Sequence, residues 1–147
     1  MDTFSEKALE VMSSARIEAQ HLQQNYVGSE HILLGLLHQE GSAAMDVIKD
    51  FGVEPSKLRD EVLSIIDQPH RIAIRDLGFT PSGKKVMELV VVEARLLGKP
   101  TIGTIPILLG LVLERCGIAA AVLENHGITH EKIRLGVLQV LSWRDDS

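Results

Sequence analysis

Apolar residues at Phe4, Ala8, Val11, Met12, Ala15, Ala19 and Leu22 recur at spacings of three and four. That is the period of one helical face, and it predicts an amphipathic first helix that packs on one side only. Two later runs, Ile32 to Leu37 and Ile107 to Leu113, are apolar nearly all round. A helix without a polar face belongs at the centre of a core, so both are expected inside. Ser29 and Thr104 stand just ahead of these runs, where an N-cap hydroxyl would accept from amides two or three residues on. Gly52 and Gly127 are expected to end third helices in the left-handed region. Pro55 suits the first turn of a fourth helix, where its missing amide hydrogen has no consequence.

The elements occur twice. A shift of 75 residues lays Phe4 to Ile66 on Phe79 to Leu141 without a gap, with about 19 matches in 63 positions. The block from Gly28 to Leu36 falls on the block from Gly103 to Leu111, and Val62-Leu63 fall on Val137-Leu138. Two units of this size are small to stand alone. The expectation is an all-α fold in which two pseudo-twofold-related four-helix repeats form one eight-helix domain over residues 1–147. Repeat one covers 4–66, a linker 67–78, repeat two 79–141 and a short tail 142–147. The groove between the copies is the expected binding site, and Trp143 in the tail is expected to pack back on the domain.

Composition narrows the function classes. The chain has 45% hydrophobic and 24% charged residues, too apolar for a disordered protein. A net charge of −5 and a pI near 5.6 argue against a nucleic-acid binder, which needs a basic face to displace counterions. Cys116 is the only cysteine, so no internal disulfide forms, and it is expected as a small buried hydrophobe. The start Met1-Asp2-Thr3-Phe4-Ser5-Glu6 lacks the basic and apolar blocks of a signal peptide. No apolar run approaches the roughly 18 residues of a membrane span. A cytoplasmic protein is expected.

Candidate chemistry is sparse. The segment from Gly78 to Lys84 fits the opening of a phosphate-binding GxxxxGK loop, but Lys85 stands where Ser or Thr should ligate magnesium. The repeat register instead lays Gly83-Lys84 on Ala8-Leu9, in the first turn of a helix behind Pro81. His31 and His38, with Glu30, Glu18 and His21 near in sequence, lack zinc spacing. His126 and His130 straddle Gly127, where a helix end separates them. No nucleophile, base and orienting group come together in sequence. No catalysis, metal or cofactor is expected.

The segments FSEKALEVMSSARIEA, VGSEHILLGLLHQEGSAA, FTPSGKKVMELVVVEAR and IGTIPILLGLVLERCGIAA resemble the amino-terminal repeat domain of Clp unfoldases, most nearly the ClpC type. The resemblance covers nearly the whole chain. It implies a docking module without catalysis that collects substrates and adaptors for an AAA+ ring and its protease, either free-standing or as the domain of a longer protein. A stand-alone accessory subunit or a decoy that protects the unfoldase is the alternative, and a plastid stroma is the alternative compartment. The resemblance further implies phosphoarginine pockets, in which a carboxylate faces the guanidinium while hydroxyls and helix-start amides take the phosphate. The matching residues in repeat one are Ser5, Gly28 and Glu30. In repeat two Thr80 remains but Ile105 replaces the carboxylate, which leaves one working pocket. The family's inter-repeat groove maps to Phe4, Met12, Arg16, Phe79, Lys84 and Glu88.

Overall fold

A computed structural model describes residues 3–66, 78–98 and 101–139. Repeat one contains β1 (Thr3–Phe4), α1 (Glu6–His21), β2 (Tyr26–Val27), α2 (Ser29–Leu37), α3 (Ala43–Asp50) and α4 (Pro55–Ile65). Repeat two contains β3 (Gly78–Phe79), α5 (Pro81–Leu97), β4 (Thr101–Ile102), α6 (Thr104–Leu113), α7 (Ile118–Asn125) and α8 (His130–Gln139). The fold is all-α, with four two-residue strands as staples. Residues 67–77 of the expected linker, and the tail with Trp143, lie outside the described residues. Gly78, placed in the linker by sequence, is instead the first residue of β3.

The apolar α2 and α6 form the centre, as their lack of a polar face requires: Ile32, Leu33, Leu34 and Leu36 of one, and Ile107, Leu108, Leu109 and Leu111 of the other, are fully buried. Each crosses the first helix of its own repeat at a glycine. A methyl group on Gly35 would strike the Val11 carbonyl and come within 2.8 Å of the Ala15 amide nitrogen. One on Gly110 would meet a Val90 methyl at 2.7 Å and the Val86 carbonyl at 3.0 Å. Gly52 (φ 78°) and Gly127 (φ 76°) end α3 and α7 in the left-handed region. Pro55 opens α4, and Pro81 opens α5. Gly83 and Lys84 therefore lie in a helical turn, as the repeat register predicts. Among the described residues no single helix is long and apolar enough to cross a membrane.

The caps of α2 and α6 differ from expectation. Gly28 and Gly103 occupy the N-cap positions, and Ser29 and Thr104 are the first helical residues. Their hydroxyls serve the opposite repeat: Ser29 Oγ accepts from the Ala119 amide at 3.3 Å, and Thr104 Oγ1 from the Ala44 amide at 3.0 Å. The second amide of α7 and that of α3 are thus satisfied from across the pseudo-twofold axis. Cys116 also departs from expectation, since it is exposed in the turn between α6 and α7.

Candidate functional site

The short strands decide which residues meet. They pair in parallel between the repeats, β1 with β4 and β2 with β3. The Ser5 amide donates to the Ile102 carbonyl at 2.9 Å, and the Thr80 amide to the Val27 carbonyl at 3.0 Å. The start of α1 is therefore fixed beside the start of α6, and the start of α5 beside that of α2. The sequence grouping is crossed as a result. Thr80 lies by Gly28 and Glu30, whereas Ser5 lies by Gly103 and Ile105.

Both hydroxyls cap their helices, Ser5 Oγ accepting from Ala8 at 3.1 Å and Thr80 Oγ1 from Gly83 at 2.9 Å. At the first junction the backbones come close. A methyl on Gly83 would lie 2.5 Å from the Val27 carbonyl and 3.3 Å from Gly28 Cα. The Glu30 carboxylate folds back over Gly28, where a methyl would collide with it. Glu30 is 8% exposed. Burial pushes its carboxyl above the usual range, against a hydrogen bond from its own amide. Tyr26 is held up by burial and by the nearby Glu30 charge. Among the described residues no cationic side chain pairs with Glu30. At the second junction Ile105 takes the equivalent place and is buried.

His31 builds the floor beneath Glu30. Its Nδ1 accepts from the Gly28 amide at 2.9 Å and its Nε2 meets Gln24 Oε1. A neutral ring protonated at Nε2 satisfies both contacts. Burial lowers its pKa to about 4, outweighing the charge of Glu18. The Tyr26 ring meets it edge-on at 5.5 Å between centroids. Repeat two has Pro106 here, in the first turn of α6, where no amide donor is missed.

Three further histidines, His38, His126 and His130, serve carboxylates. Glu18 on α1 receives Arg59 of α4 at 3.0 and 3.3 Å, and also His38. Burial raises its carboxyl, but these hydrogen bonds hold it below the usual range. In repeat two Glu93 on α5 takes His130 at 2.9 Å and Arg134 at 3.2 Å. His126 meets Glu61 at 2.5 Å and joins α7 to α4 across the repeats. Among the described residues no three His, Cys, Asp or Glu side chains are gathered as a metal would require.

Of the expected groove residues, Phe4 and Met12 are half-buried against the core. Phe79 is 38% exposed, and Arg16, Lys84 and Glu88 are exposed on α1 and α5. Sequence reasoning missed Arg59 and Arg134, although the two lie 75 residues apart exactly as Glu18 and Glu93 do. It also missed Glu114, which its repeat mate Gln39 gave no reason to single out.

The model of the Clp repeat (R) N-terminal domain matches residues 3–126, and the chain belongs to that family. It is 42% identical over 140 residues to an ATP-dependent Clp protease ATP-binding subunit ClpA homolog of Guillardia theta, covering 95% of this chain and 17% of that one. It is 41% identical over 138 residues to the negative regulator of genetic competence ClpC/MecB of Bacillus subtilis, covering 94% and 17%. The chain thus spans about a sixth of the length of these relatives. Its fold is similar to the Hsp104 N-terminal domain of Candida albicans, with TM-score 0.80, 12% identity and 99% of each chain covered.

Proposed function

We propose that this domain is a non-catalytic protein-interaction module of the Clp chaperone and protease system, working in the bacterial cytoplasm or the plastid stroma. It captures substrates or adaptors by an arginine side chain, phosphoarginine-marked proteins among them, at the Glu30 junction. The observation that carries this reading is a carboxylate nine-tenths buried, with no cationic partner among the described residues. Such a group is costly to keep ionised unless an incoming cation completes it. A guanidinium offers two parallel donors to a carboxylate, and the first turn of α5, capped by Thr80, presents the positive end of its dipole beside it. The second junction has Ser5 and the start of α1 but Ile105 in place of a carboxylate, so a single working pocket is expected.

Calorimetric titration with phosphoarginine and with arginine, using phosphate as control, tests this reading. The expected result is one site per chain, lost in Glu30→Gln. Absence of binding by both ligands, or binding that persists in Glu30→Gln, would sink it.

A further inference from the structure

We propose that Glu114 is a second recognition carboxylate at this junction, and that the pair makes the site prefer an unmodified arginine side chain to a phosphorylated one. This rests on the reading that Glu30 receives a guanidinium. Glu114 ends α6 and is 8% exposed. Its Oε1 accepts from Ser82 Oγ at 2.8 Å, and no cationic side chain among the described residues pairs with it. Gly117 opens α7 beside it, where a methyl would collide with Ser29 Oγ and come within 2.8 Å of Glu114 Oε1 and 2.9 Å of Ser82 Oγ. Ser29 precedes Glu30, and Ser82 precedes Gly83, which rests on Gly28 beneath the Glu30 carboxylate. The starts of α2, α5 and α7 thus form one ring that holds two buried carboxylates.

Two such carboxylates, with no cationic partner among the described residues, call for a full cation. A phosphoryl group would bring negative charge to the start of α5, where Glu114 already lies and the Ser82 hydroxyl is committed to it. The nearby lysines of α5 do not offset this charge, because Lys84 and Lys85 are exposed and Lys85 lies 3.9 Å from Glu88. The pseudo-equivalent ring has the opposite character. Positions 30, 114 and 82 are matched there by Ile105, Gln39 and Lys7.

Competition titrations with a short blocked peptide, arginine-bearing or phosphoarginine-bearing, test the proposal. The expected result is arginine bound at least about fivefold tighter than its phosphorylated form, with arginine affinity about tenfold weaker and the preference gone in Glu114→Gln. Gln keeps an acceptor for Ser82. In a second variant, Ser82→Arg, an internal cation meets Glu114, and the preference is expected to reverse. Tighter binding of the phosphorylated peptide by the unaltered protein would overturn the proposal. So would an unchanged preference in both variants while Glu30→Gln still abolishes binding, a result that leaves the Glu30 reading intact. Failure of both peptides to bind would remove both readings.

Discussion

The two junctions share one backbone design and differ in charge. In each, a first helix of one repeat is stapled by a two-residue parallel ladder to the central helix of the other, and a hydroxyl from the central helix crosses the axis to cap a third helix. One ring then carries Glu30 and Glu114, the other Ile105 and Gln39. Backbone geometry is what the duplication preserves, because ladders and crossing glycines depend little on the side chains that line a pocket. Pocket chemistry is free to diverge at a few positions.

The comparison can be broken most forcefully at the helix crossings. Gly35→Ala drives a methyl into backbone atoms of α1, which cannot rotate away, and is expected to destabilise by more than about 3 kcal/mol. Gly110→Ala first meets a Val90 side chain and is expected to lose only about 1–2 kcal/mol. Urea unfolding of both variants checks the order.

His31 gives the next largest difference. Its folded pKa of about 4 lies below the ordinary 6.5, so the unfolded chain takes up a proton first as pH falls. The stability linked to His31 is complete above about pH 6.5 and declines between there and pH 4, by about 3 kcal/mol in total. Proline stands at this position in repeat two, so the dependence belongs to repeat one. Urea unfolding of the unaltered protein and His31→Gln at pH 7 and pH 4.5 checks it, the variant being expected to show the smaller decline.

The buried carboxylate clamps give a smaller contrast. Arg59→Ala removes a two-pronged contact to Glu18 and is expected to cost about 2 kcal/mol, discounted for the 38% exposure of Arg59. Arg134→Ala removes the single contact to Glu93 and is expected to cost about 1 kcal/mol. Thermal unfolding of the two variants measures the difference. The smallest effect is expected at Glu30. Its raised carboxyl pKa means that ionisation opposes folding, so stability is lost as pH rises through the carboxylate range. Glu30→Gln should therefore unfold at a slightly higher urea concentration than the unaltered protein at pH 7, and the gap should close at low pH.

The helices, the central position of α2 and α6, and the terminating Gly52 and Gly127 were legible in the sequence because periodicity and turn chemistry are local signals. The crossing of the junctions was not. Two-residue strands carry no alternation to read, and only their pairing places Thr80, rather than Ser5, beside Glu30. Ser29 and Thr104 looked like caps of their own helices, because sequence shows a hydroxyl before an apolar run but not the distant amide it serves. Glu30 was visible through the family resemblance, since its repeat mate is Ile105. Glu114 lay hidden, since its burial and its place beside Ser82 arise from contacts between α5 and the end of α6.

The most direct test of the asymmetric domain is an amide-resolved NMR titration with a blocked arginine peptide. The account predicts shifts at Gly28, Glu30, Ser82, Gly83 and Gly117, with Ser5 to Ala8 and Gly103 to Ile105 unmoved. Equal shifts at both junctions, or shifts confined to the Ser5 and Ile105 side, would contradict it.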